Sequence, residues 1–112
     1  MDHIEWEHTL DEYKSVTNKV IKVRYRIGQL ELDKTEFVTA GANALLGGSN
    51  PKTSKPHSWT SAEKEVKEHP DYRAKKEQIL DATREAETAE RDARVLWLVL
   101  NMEVSMRKAV AA

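Results

Sequence analysis

The stretch DYRAKKEQILDATREAETAERDARVLWLVL, residues 71–100, decides the fold. It contains no Gly or Pro, and Ile79, Ala82, Ala86, Ala89, Ala93, Leu96 and Leu100 recur in it at steps of three and four. That spacing puts the seven residues on one heptad seam and leaves the intervening Asp, Glu, Lys and Arg on a wet face. It predicts one helix over about residues 71–110, about 60 Å long if unbroken at ~1.5 Å per residue. The small side chains of the seam allow a second helix to come close. From Val95 to Leu100 the pattern changes, because apolar residues surround the whole helix. Such a section needs cover on more than one side.

Working back to the N-terminus, Asp2 and Glu5 have capping-box spacing, in which each side chain satisfies an orphan amide of the first turn. Trp6, Leu10, Tyr13, Val16, Val20, Val23, Ile27 and Leu30 then recur at steps of three and four. This predicts a helix over about residues 3–46. A strand reading competes over residues 20–27, where Ile21, Val23, Tyr25 and Ile27 alternate with Lys22, Arg24 and Arg26. The helix is preferred because its pattern starts well before Ile21 and passes through without a turn signal. Between Gly28 and Glu36 the pattern loosens, and Asp33 with Glu36 offers a second capping box ahead of Phe37, Val38, Leu45 and Leu46, so a kink or short break is expected there.

Gly47 and Gly48 stop the helix, and Pro51 and Pro56 sit among polar residues in a loop expected over about residues 47–60. Thr60 and Glu63 form a further capping-box pair, which predicts a short helix over about residues 61–69 before Pro70 opens the long helix. The expected fold is all-α, a single domain built as a long antiparallel helical hairpin, coiled-coil-like, and completed as a dimeric helical bundle. One hairpin covers only one side of the Val95–Leu100 section. A second copy, or the short helix after Trp59, must cover the rest. Leu96, Trp97, Leu98, Leu100 and Val104 are therefore the expected oligomer interface, with Asn101 a candidate for fixing register.

Composition limits the function classes. The chain of 112 residues is 39% hydrophobic and 33% charged with a net charge of −1, a balance suited to a solvated helical surface and a thin core. It has no cysteine, so disulfides, thiolate metal clusters and a cysteine nucleophile are excluded. The acidic, charge-broken N-terminus does not read as a signal peptide. The longest apolar run, Val95 to Leu100, falls far short of the ~20 residues of a membrane-spanning helix. A cytoplasmic, membrane-free protein is expected.

Chemistry-bearing patterns are sparse. Glu5 and His8 have the Glu-x-x-His spacing of di-iron bundles, but His57 and His69 lack a Glu three residues earlier, and His3 and His8 are five apart rather than four. Gly47, Gly48 and Ser49 lead into Asn50 and Pro51 instead of the Lys and Ser or Thr of a phosphate loop. No catalytic residue, cofactor site or metal site is expected. The strongest charge asymmetry is Lys14, Lys19, Lys22, Arg24 and Arg26 around Tyr25, with no acidic residue between Tyr13 and Leu30. Lys52, Lys55 and His57 add cations near Trp59. Basic groups interleaved with aromatics can hold a phosphate backbone and stack on bases, which makes Lys19, Lys22, Arg24, Tyr25 and Arg26 candidate contacts for nucleic acid or an acidic partner. The competing and preferred reading pairs these cations with Glu85, Glu87 and Glu90 of the second long helix.

In general form, two long helices with a Gly-containing turn, the chain resembles the small secreted hairpins marked by a Trp-x-Gly turn and a Tyr-x-x-x-Asp or Glu tail. It departs from both motifs, since Trp59 is followed by Thr60 and Ser61, and Tyr72 has Lys76 at the matching place. More loosely it looks like the small helical accessory proteins that bacteriophages and prophages encode, a resemblance of form that implies no site residue. The expected function is a non-enzymatic protein–protein interaction or assembly module, a homodimer with a further protein partner. A nucleic-acid-binding accessory role through the basic stripe ranks second.

Overall fold

The computed structural model describes residues 1–48 and 50–111. The chain folds as an all-α helical hairpin of three helices, α1 (His3–Leu45), α2 (Trp59–Lys67) and α3 (Pro70–Ala111), with no strand among the described residues. Helix α1 begins at the expected capping box. The Glu5 amide donates to Asp2 Oδ1 at 2.8 Å, and the Asp2 amide donates back to Glu5 Oε2 at 3.3 Å. Two donors that a bare helix end would leave to water are thereby satisfied.

The strand alternative for residues 20–27 does not hold, because this segment is helical throughout. Burial shows why: Val23 and Ile27, four apart, are buried, while Ile21 and Tyr25 are exposed. The break expected between Gly28 and Glu36 does not form either. Helix α1 runs through it, and the Asp33 carboxylate accepts from Lys75 Nζ at 2.7 Å instead of capping a new helix. Gly28 lies on an open face where a Cβ would touch nothing, so it marks no close approach.

Helix α1 ends where the glycines stand. Gly47 takes φ 83°, a left-handed value that costs Gly little and other residues more. The loop then closes on itself, as the His57 amide donates to the Gly48 carbonyl at 2.7 Å and the Gly47 amide to the His57 carbonyl at 3.3 Å. Helix α2 starts earlier than the Thr60–Glu63 pair suggests. Ser58 is its N-cap, accepting from the Ser61 amide at 3.2 Å, while Glu63 pairs with Lys67 at 2.7 Å. Glu68 is the C-cap, so α2 stops before His69. Pro70 opens α3, where a missing N–H leaves no bond unmade.

The chain divides into two compact units. The first joins Met1–Tyr25 to Ala82–Ala112, and the second is Arg26–Asp81. In the first unit α1 and α3 run antiparallel, with Arg107 5.2 Å from the Trp6 ring and Arg24 Nη2 2.7 Å from Glu90 Oε1. Its buried core residues are Val23 of α1 and Ala82, Ala86, Ala89 and Leu100 of the α3 seam. All the seam positions on both long helices are buried or half-buried. In the second unit the same antiparallel pair carries α2 as a third layer. Ala42, Ala62 and Val66 are buried there, and the approach is so close that a Cβ on Gly41 would stand 2.7 Å from Val66 Cγ2.

Candidate functional site

Position along α3 turns by about 100° per residue, so residues three or four apart share a face. Leu96, Leu100 and Val104 follow this rule and face the hairpin: Leu100 is buried and the other two are half-buried. Trp97 and Leu98 are instead exposed, at 49% and 47%. Of the five residues expected at an oligomer interface, three thus pack within the hairpin and two are free on its surface. Asn101 is exposed and enters no buried network.

The geometry brings together a surface that the sequence reading did not isolate. Val95, Val99, Met102 and Met106 are all exposed and follow steps of four, three and four, with Leu98 beside them. This is a second apolar stripe, offset around α3 from the alanine seam. The signal was in the sequence, as a second heptad register beginning after Arg94, where no charged residue follows until Glu103. Within the second unit, α2 buries Ala62 and Val66, with Val66 seated against Gly41 of α1.

The basic stripe resolves into two parts. Arg24 gives both Nε and Nη2 to Glu90 Oε1 at 2.7 Å, the pairing with the acidic part of α3 that the sequence suggested, and Arg26 also has an interaction partner. Lys14, Lys19, Lys22 and Tyr25 are exposed. The loop cations are likewise divided. Lys52 Nζ reaches Glu68 at 3.1 Å, whereas His57, expected as a displayed cation, is buried with its Nδ1 2.8 Å from Ser61 Oγ. Ser61 also accepts from the Asn50 side-chain amide at 2.9 Å, so one hydroxyl joins loop and helix. His57 is a structural residue of the hairpin turn.

Glu5, the carboxylate of the Glu-x-x-His pair, is engaged in capping α1, and His8 is exposed. Among the described residues no group of three or more His, Asp or Glu is placed to hold a metal ion. Among the described residues no helix is long and apolar enough to cross a membrane. No family model matches this chain, and neither does any curated protein or solved structure.

Proposed function

We propose that this chain is a non-enzymatic protein–protein interaction module that assembles as a homodimer through the outer stripe of α3. The observation that supports this reading is the exposure of Val95, Leu98, Val99, Met102 and Met106 in consecutive turns at heptad spacing. Contiguous apolar patches of this kind mark interaction sites on soluble proteins. A second copy brings a stripe of the same period, which is the condition for knobs-into-holes packing. Covering the remaining half of five side chains on each of two copies is worth roughly 8–15 kcal/mol at ~1.5–3 kcal/mol per full side chain. Association costs of about 4–15 kcal/mol oppose it. The two are comparable, so the dimer forms in a concentration-dependent way.

The absence of native cysteine makes the test direct. Single Val99→Cys and Met102→Cys variants, mildly oxidised, should give covalent dimers at a rate well above that of Glu87→Cys, an exposed α3 position outside the stripe. Equal rates at the three positions would remove the stripe from the interface. The second reading, nucleic-acid binding, rests on Lys19, Lys22 and Tyr25, and ranks lower because Arg24 is tied to Glu90.

A further inference from the structure

We propose that a cleft in the second unit binds a nucleotide unit, a nucleobase together with its phosphate. The cleft measures about 300 Å³ and is walled by two aromatic rings, Trp59 from the first turn of α2 and Tyr72 from the first turn of α3. That volume is at the small end of ligand sites and suits one planar ring with a substituent. Trp59 is 43% exposed and lines the cleft, so part of its indole is open to a stacking partner. Val38 of α1 supplies an apolar floor.

The polar groups of the cleft match the rest of a nucleotide. Lys34 lines it half-buried and, among the described residues, makes no ion pair, so its ammonium is available to an anion. Lys76, outside the lining, has its Nζ 5.7 Å from the Tyr72 ring centroid, which adds positive potential near that ring. Thr35 and Thr39 contribute hydroxyls, of which Thr35 Oγ1 already donates to the Glu31 carbonyl and so presents its lone pairs. Glu63 is the one acid of the lining, and it is neutralised by Lys67 at 2.7 Å. Aromatic stacking combined with a lysine is how proteins hold single nucleotides without base-specific contacts. This site is separate from the basic stripe of α1 and from the outer stripe of α3.

The test is a two-dimensional NMR titration of the full chain with uridine monophosphate in one arm and an oligothymidylate of eight nucleotides in the other. The Trp59 indole N–H, assigned with Trp59→Phe, should shift together with the amides of Thr35, Thr39 and Tyr72, while the Trp6 and Trp97 indoles stay in place. Trp59→Ala should weaken binding by about tenfold or more, the scale of one lost stack. Lys34→Gln should weaken it by about threefold to tenfold, and Glu63→Gln, which releases Lys67, should strengthen it by a similar factor. Lys22→Gln should leave it unchanged. Tighter binding of the oligomer per nucleotide identifies a single strand as the source, and equal binding identifies the free nucleotide. No Trp59 shift at about 5 mM of either probe, or shifts confined to residues 14–26, would overturn the proposal. So would a Glu63→Gln variant that binds more weakly while circular dichroism shows it folded.

Discussion

The two units of the chain use the same helix pair and differ in what is laid over it. In Arg26–Asp81 the pair carries α2, and four large apolar side chains are exposed among the described residues; in Met1–Tyr25 with Ala82–Ala112 there is no third helix, and eleven are exposed. Two helices can bury only the seam between them, whereas a third element closes a further face. The first unit is therefore the one that leaves more apolar surface in water. Its exposed α3 stripe is the surface that the proposed second copy would cover, as α2 covers the helix pair in the second unit.

That contrast can be broken by substitution, beginning with the largest expected effect. Leu100→Ala removes the largest buried side chain of the α3 seam and should lower unfolding free energy by about 2–5 kcal/mol in urea titrations. Leu98→Ala, two residues away but half exposed, should cost the hairpin much less when measured at low concentration. Equal losses would mean that inner and outer faces are not distinct. Next, Ser61→Ala leaves the buried His57 ring without its partner and frees Asn50, which should cost about 1–3 kcal/mol in the same assay.

In the second unit, Gly41→Ala tests how tightly the third layer sits. The new methyl meets Val66, a buried β-branched side chain with little freedom to swing away, so overpacking of about 1–3 kcal/mol outweighs the ~1 kcal/mol helix-propensity gain. A Val66→Ala change in the Gly41→Ala background should recover part of the loss. Stabilisation by Gly41→Ala alone would show that α2 is loosely held.

The smallest expected effect is electrostatic. The hydrogen bond from Lys67, helped by its charge, holds the Glu63 carboxyl below its ordinary pKa, and Glu63 raises the Lys67 ammonium in return. For Glu63 the linked stability is present above the unfolded carboxyl pKa and is lost as pH falls through the lowered folded value. For Lys67 it is present below the unfolded ammonium pKa and is lost as pH rises through the raised folded value. Thermal melts of Lys67→Met should therefore differ from the parent at neutral pH and converge with it in acid. A difference that persists below the Glu63 titration would assign it to packing.

How much of this was legible in the sequence depends on whether a residue answers to its own helix or to another. The seams on α1 and α3, the Asp2–Glu5 cap and the glycine stop are local patterns, and each appears where its spacing puts it. Gly28 and Asp33 misled because a helix tolerates an exposed Gly at ~1 kcal/mol when flanking turns are anchored. Thr60 and Glu63 misled because Ser58 offers a competing cap two residues earlier, and only the position of Ser61 decides between them. The burial of His57, the seating of Gly41 on Val66 and the Trp59–Tyr72 cleft all depend on where α2 docks, which no periodicity within α2 specifies. The outer stripe of α3 was present as spacing but hidden inside a run that is apolar on every side.

Sedimentation equilibrium of the unmodified chain and of a Leu98→Glu/Met102→Glu variant reads out whether the outer stripe of α3 holds two copies together. Both residues are exposed in the hairpin, at 47% and 64%, so the new charges leave its inner core untouched and fall on the surface assigned to the second copy. At about 100 µM the unmodified chain should sediment at twice its monomer mass of 12.8 kDa, and the folded variant at the monomer mass itself. A monomer for the unmodified chain at that concentration, or a dimer that survives both glutamates, would contradict assembly through that stripe.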